Sequence, residues 1–333
     1  MKVGVIMGGV SSERQVSLMT GKEMVAHLDE KYEPIPIELN STEELIDKVK
    51  GVDIALLALH GKYGEDGTVQ GTLETLGIPY TGSGVLSSSL CMDKELTKKI
   101  IRFEGLATPD WMVITSLDDL DTAEAGRQLG YPVVVKPNTG GSSIGVQIAD
   151  GPDRLRQAVA DALAWDREVL LEQYIAGEEL TCAVLNGALL PTVSIKAQAH
   201  FFDYSSKYCD GGAEEEVIEL PEPFGKAVHE AALRIYQAMK CSVYARIDMM
   251  LATDGVPYVL EVNTLPGLTK NSLLPKSAKA AGLSYSRLLD EIITHSLHTR
   301  TTKRSRSPRA VTRGDLLLYF QRFVVEQVYR AQP

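Results

Sequence analysis

The chain has 333 residues, enough for two or three domains, and its 44% hydrophobic and 23% charged content is that of a globular protein rather than a disordered one. It carries 34 Lys and Arg against 44 Asp and Glu; eight of the basic and two of the acidic residues fall from Arg300 onward, leaving 26 and 42 upstream, and an acidic body of net −16 argues against a nucleic-acid surface. The four cysteines, Cys91, Cys182, Cys209 and Cys241, form no C-x-x-C pair, and the chain opens without a signal-peptide apolar region or any run long enough to span a bilayer, so a cytoplasmic protein without stable membrane insertion is expected.

Taken in order, Val3 to Met7 reads as a buried strand that ends at Gly8-Gly9 and leads into a helix from about Val16 to Leu28. Tyr32 to Leu39 reads as a second strand, placed at an edge by Pro34 and Pro36. Ser41 with Glu44 has capping-box spacing. Asp53 to Leu59 is a third strand, and the alternation is expected to run on to about Cys91. A second unit follows, with helices at Asp93–Phe103, Thr122–Leu129 and Arg154–Leu163 and strands at Trp111–Ile114, Pro132–Pro137 and Val169–Tyr174. A third unit has strands at Leu180–Leu185, Ala188–Ala197, Val243–Leu251 and Val256–Val262, with helices at Pro223–Met239 and Tyr285–Leu297. Residues 203–216 lack a period and read as a long loop, a common form of active-site lid. From Thr299 a basic stretch gives way to an apolar one, Leu316 to Val328.

Three patterns carry chemistry. Arg246 and Asp248 share a strand face, as do Glu261 and Asn263 on the next strand. If these strands pair, two carboxylates and an amide converge as an all-oxygen set suited to Mg²⁺, with a guanidinium beside it; the plainer alternative is a surface ion pair on a hairpin. Asn138 to Gly145 is a Gly- and Ser-rich loop after a strand bearing Lys136, able to cradle phosphates, or else an ordinary turn. It is not a P-loop, since no Lys-Ser/Thr follows its last glycine. The Gly8-Gly9 turn lacks the spacing of a dinucleotide fingerprint; Glu13 beyond it is either a helix-dipole partner or a carboxylate for a substrate ammonium.

Seven motifs in order resemble the D-alanine–D-alanine ligase family of the ATP-grasp superfamily, over about residues 1 to 298. They are Gly8-Gly9 with Ser12 to Leu18; His60-Gly61 with Gly64 to Gly67; Tyr80 to Gly84; Met92-Asp93-Lys94; Val135-Lys136-Pro137 with Gly141 to Gly145; Arg246-Ile247-Asp248; and Glu261 to Thr269 with Ser272-Leu273. The resemblance implies an α/β ATP-grasp fold, α+β in its C-terminal part. It implies a Rossmann-like N-terminal domain at 1–92, a central domain at 93–178 and a C-terminal domain at 179–298 whose lid is the loop 203–216. The tail 299–333 falls outside the family pattern.

The activity implied is ligation of two D-alanine molecules through a D-alanyl phosphate. By position in the family motifs, Glu13 takes the ammonium of the first D-alanine, with His60 nearby. Lys94, Lys136, Ser143 and Lys207 take the nucleotide phosphates. Glu172, Gln173, Tyr174 and Ile175 line the adenine, and Glu179 takes the ribose. Asp248, Glu261 and Asn263 hold two Mg²⁺ or Mn²⁺ ions. Arg246 and the Gly267 N–H form the oxyanion site, Ser272 and Leu273 receive the second D-alanine, and Ser142 and Tyr208 join Glu13 in closing the lid. A homodimer is implied. D-lactate or D-serine as second substrate, and a non-catalytic ATP-binding regulator, are the alternatives; a tyrosine at 208 resembles the dipeptide-forming type.

Overall fold

The computed structural model describes residues 1–197 and 213–305. Met1–Leu297 form one compact unit and His298 onward a second. The first sheet is parallel, with β1 (Lys2–Gly8) between β2 (Glu33–Leu39) and β3 (Ile54–Leu57). Burial on both faces explains the unbroken apolar runs of β1 and β3. The prolines of β2 do sit on an edge strand. Helix α1 (Arg14–His27) returns from β1 across the sheet.

The expected alternation stops after β3. Tyr80 makes only an isolated parallel bridge to Ala55, because Pro79 has no N–H to extend the ladder. The interval is filled by α3 (Thr68–Leu76) and α4 (Val85–Met92). The capping box also forms differently: the short α2 (Glu44–Lys48) starts at Glu44, whose carboxylate accepts from Asn40 N at 2.8 Å, and Ser41 is not its cap.

The second sheet follows α5 (Lys94–Phe103), which Asp93 caps by accepting from Leu96 N. It comprises β4 (Trp111–Ile114), β5 (Val133–Pro137), β6 (Gln147–Ala149) and β7 (Val169–Gln173) in the order β4-β7-β5-β6. One face packs against α6 (Thr122–Leu129) and α7 (Pro152–Leu163) through Val133, Val135, Val169 and Leu171. Two-residue alternation sends Val134, Lys136 and Glu172 to the other face.

The third sheet comprises β8 (Gly177–Leu185), β9 (Ala188–Leu189), β10 (Val193–Ala197), β11 (Ala213–Val217), β12 (Tyr244–Ala252) and β13 (Pro257–Asn263). Its order is β11-β10-β8-β12-β13, with β9 paired to β8. Helix α8 (Phe224–Ala238) covers one face, burying Leu180, Cys182, Ala245, Ile247 and Met249. The anticipated strand Ala188–Ala197 is two strands, interrupted at Pro191, which cannot donate to a ladder. Residues 213–216, expected in a loop, lie in β11, and the rest of the expected loop, 203–212, lies outside the described residues. Helix α9 (Leu273–Ala280) and helix α10 (Tyr285–Ser305) complete the described residues. Helix α10 runs past Leu297 because nothing from His298 to Ser305 breaks a helix; the apolar stretch Leu316–Val328 lies outside the described residues.

Candidate active site

The free faces of the second and third sheets enclose a cavity of about 670 Å³. That is the size of a cofactor pocket rather than of a buried water. Val134, Lys136 and Glu172 line one wall; Glu179, Ile195, Asp248, Met250 and Glu261 line the other. Lys94, from the first turn of α5, and Gly140 to Ile144, from the Gly-rich loop, close one end. The expected adenine-side residues Glu172 to Ile175 all face this cavity, as do Ser142, Ser143 and Glu179.

The lysine wall is a charge cluster. Lys136 Nζ lies 2.8 Å from Glu172 Oε1, and Lys98 Nζ lies 3.1 Å from the same oxygen. Burial alone raises the Glu172 pKa, but the two ammonium groups outweigh it and hold the carboxyl below its ordinary value. Burial pushes Lys98 down to about 8 against the attraction of Glu172. Burial likewise lowers Lys94, opposed by Glu261 and reinforced by Lys136. Lys94 Nζ donates to Gly140 O at 2.7 Å and so ties α5 to the Gly-rich loop. Ser142 and Ser143 in that loop have φ of 53° and 56°, left-handed values that cost strain at two successive non-glycine residues.

The acidic residues converge as their spacing implies. Arg246 pairs with Asn263 and Asp248 with Glu261 across β12 and β13. Immediately after, Met249 pairs with Val259, so Leu260 is bulged out and Glu261 is re-aimed beside it. Asn263 Nδ2 donates to Asp248 Oδ2 at 3.0 Å and to Glu261 Oε1 at 3.3 Å. Arg246 grips Asp248 through Nε, at 2.9 and 3.2 Å, and through Nη2 at 2.7 Å. Thr181, opposite Asp248 on β8, donates to Asp248 Oδ1. Among the described residues no group of three or more His, Cys, Asp or Glu could hold a metal. Two carboxylates and an amide nonetheless fit a hard cation that completes its shell with phosphate oxygens, once the Asn263 amide turns its oxygen toward them.

The other end of the site is built on the first sheet. Glu13, buried at the start of α1, accepts from Ser142 Oγ across 129 residues of sequence. Gly61 is required there: its φ is +68°, and a Cβ would stand 2.6 Å from Glu13 Oε2. His60, just beyond β3, is buried, with Nδ1 3.1 Å from Glu65 Oε1 and Nε2 3.3 Å from Thr20 Oγ1. Burial opposes the imidazolium, but pairing with Glu65 and the charge of Glu13 outweigh it, so the His60 pKa is raised. Burial also raises Glu65, so the pair binds its proton tightly. Gly267 lies against Ser272, whose Oγ a Cβ at Gly267 would meet at 3.0 Å. Ser272 is the N-cap of α9 without capping by its side chain, and its Oγ is 2.8 Å from Thr269 Oγ1. The Leu273 side chain is buried against Val193 and Ile195, which leaves its backbone N–H, in the first turn of α9, as the polar group it can offer a ligand.

Three residues enter the site without having been singled out: Lys98, Glu65 and Thr181. Lys94 and Lys98 share one helix face at i and i+4, but such lysines ordinarily mark a solvated face. Glu65 lies in the Gly64 to Gly67 motif, whose spacing gives it no role of its own. Thr181 could be found only from the β8–β12 pairing. Lys207 and Tyr208 lie outside the described residues.

A cavity gripped between two sheets, with lysines on one wall and an acidic pair on the other, defines an ATP-grasp protein. The family models described as D-ala D-ala ligase N-terminus and D-ala D-ala ligase C-terminus match residues 40–83 and 100–294. A D-alanine–D-alanine ligase of Bacillus anthracis is 60% identical over 301 residues, covering 90% of this chain and 98% of that one. Ligase A of Clostridium perfringens is 55% identical, covering 89% and 98%. The crystal structure of the Bacillus anthracis enzyme complexed with ATP superposes with a TM-score of 0.83 at 56% identity, covering 91% of this chain and 99% of that one. A D-Ala:D-Ser ligase of Enterococcus faecalis superposes with a TM-score of 0.78 at 32% identity, covering 89% and 99%. The chain belongs to the D-alanine–D-alanine ligase family.

Proposed function

We propose that the chain joins two D-alanine molecules into D-alanyl-D-alanine for peptidoglycan precursor synthesis, converting ATP to ADP and phosphate. A carboxylate is a poor electrophile at neutral pH, so it must first be activated. Glu13 binds the ammonium of the first D-alanine, with His60 alongside. A carboxylate oxygen of that D-alanine attacks the γ-phosphorus, ADP leaves, and D-alanyl phosphate results. The amine of the second D-alanine adds to the carbonyl, and the tetrahedral intermediate expels phosphate, which carries away one oxygen of the first carboxylate.

Lys94, Lys136 and Ser143 hold the phosphates, Glu172 to Ile175 the base and Glu179 the ribose. Two divalent ions on Asp248, Glu261 and Asn263 would neutralise the phosphate charge. Arg246 and the Gly267 N–H stabilise the tetrahedral oxyanion. Ser272 and the Leu273 N–H receive the second carboxylate. Lys207 and Tyr208, outside the described residues, keep the roles the resemblance implies, Lys207 toward the γ-phosphate and Tyr208 with Ser142 and Glu13. The observation that carries the reading is the Ser142–Glu13 hydrogen bond, which joins the phosphate loop to the amino-acid end of the site.

The reading includes three domains near residues 1–92, 93–178 and 179–298, a division in keeping with the three sheets, and a cytoplasmic homodimer. No helix among the described residues is long and apolar enough to cross a membrane. Incubation with ATP, Mg²⁺ and equal D-alanine, D-lactate and D-serine tests the substrate. D-alanyl-D-alanine is expected as the main product; preferential ester or D-alanyl-D-serine formation overturns the assignment, and absence of nucleotide turnover leaves a binding protein instead.

A further inference from the structure

Lys98 is fully buried yet stands behind the cavity wall rather than on it. Its ammonium donates to Thr108 Oγ1 at 2.8 Å and to the Pro109 carbonyl at 3.1 Å, and it lies 5.4 Å from the centre of the Trp111 ring. Its third polar neighbour is Glu172 Oε1, at 3.1 Å. Burying an ammonium that never reaches the ligand is costly, and a structural helix lysine has no need of it.

Both ammonium groups, Lys98 from behind and Lys136 from the cavity side, fall on the same oxygen of Glu172. Among the described residues no partner falls on the other oxygen, Oε2, while Glu172 lines the cavity. We propose that Lys98 is a positioning residue for the nucleotide: it pins Glu172 by Oε1, which leaves Oε2 for a hydrogen-bond donor on the base and keeps Lys136 from being neutralised by Glu172 alone. An amino-bearing purine such as adenine presents that donor. A purine with a carbonyl there presents a second acceptor to a carboxylate and is rejected.

Without Lys98, Glu172 has a single cation left. The pair with Lys136 tightens, drawing Lys136 off the phosphates and turning the carboxylate away from the base. Nucleotide binding and base selectivity fall together, whereas the amino-acid sites, which Lys98 does not touch, keep their affinities. This inference rests on the reading that the cavity takes ATP.

The test is a double-mutant cycle on the full-length protein with Lys98→Met, Glu172→Gln and both together, titrated with ADP and GDP in the absence of D-alanine, then assayed for KM of ATP and of D-alanine. Wild type that binds neither nucleotide fails the ATP reading itself. With wild type binding ADP, Lys98→Met is expected to weaken ADP at least about tenfold, to narrow the ADP-to-GDP ratio and to leave KM for D-alanine within about twofold. In the Glu172→Gln background the same substitution is expected to change ADP affinity by less than about twofold, because Lys98 acts through Glu172. Should Lys98→Met fail to fold, the double variant, which buries no unpaired carboxylate, supplies the comparison with Glu172→Gln. Equal losses in both backgrounds, or an unchanged ADP-to-GDP ratio, overturn the proposal and make Lys98 merely structural.

Discussion

Replacing Arg246 by Met separates its contact with Asp248 from its proposed catalytic role. Arg246 makes three contacts to Asp248 between 2.7 and 3.2 Å, and the two side chains are only 15% and 10% exposed. Removing one partner of a buried ion pair costs about 3–5 kcal/mol. Asp248 keeps donors in Thr181 and Asn263, so the lower end applies here, about 3 kcal/mol. At roughly 2–4 °C per kcal/mol for a chain of this size, Tm falls by about 6–12 °C. In its proposed role Arg246 is also an oxyanion donor, and losing one such donor lowers kcat about 10²–10³-fold. Arg246→Lys keeps the charge without the two-pronged grip, so it should recover most of the stability and only part of kcat. The assay is ADP release at saturating D-alanine and ATP, with calorimetry on the same samples. If Arg246→Met lowers Tm as predicted but leaves kcat within about tenfold while raising KM for ATP, the oxyanion role is wrong and Arg246 only holds Asp248.

Ser142→Ala removes the donor to Glu13; a hydrogen bond to a charged group is worth about 1.5–3 kcal/mol, so KM for the first D-alanine should rise at least about tenfold, and an unchanged KM would sever the proposed link. Chelation of divalent ions with EDTA should abolish turnover, and Glu261→Gln should raise the Mg²⁺ needed for half-maximal rate about tenfold or more; an unaltered Mg²⁺ dependence would remove Glu261 from the ligand set. His60 and Glu65 both have raised pKa values, from 6.5 and 4.5, so the folded chain holds protons that the unfolded chain releases. Their contribution to stability is present at low pH and is lost as pH rises through the raised values. The Tm advantage of wild type over Glu65→Gln should therefore shrink between pH 5 and 8, and a constant difference would refute the pairing.

Much of the site was legible because β-strands alternate. Val133 to Lys136 and Arg246 to Asp248 declare which residues share a face, and pairing then brings Asp248, Glu261 and Asn263 together. Polar spacing along one element says nothing about what packs behind it. Lys98 looks like any surface helix lysine until Thr108, Pro109 and Glu172 close around it. A short element escaped for a different reason: β6 has three residues, too few to show a period. Pro191 splits a strand that composition alone joins, and α10 continues where charge changes but helix propensity does not. Tertiary pairing, rather than local pattern, placed Thr181 beside Asp248.

Acyl-phosphate activation leaves a mark that no simple binding role can mimic. D-Alanine labelled with ¹⁸O in its carboxylate, incubated with the enzyme, ATP and Mg²⁺, should deliver one labelled oxygen to each inorganic phosphate formed alongside D-alanyl-D-alanine. Phosphate that carries no label, or label that appears without dipeptide, would contradict the account.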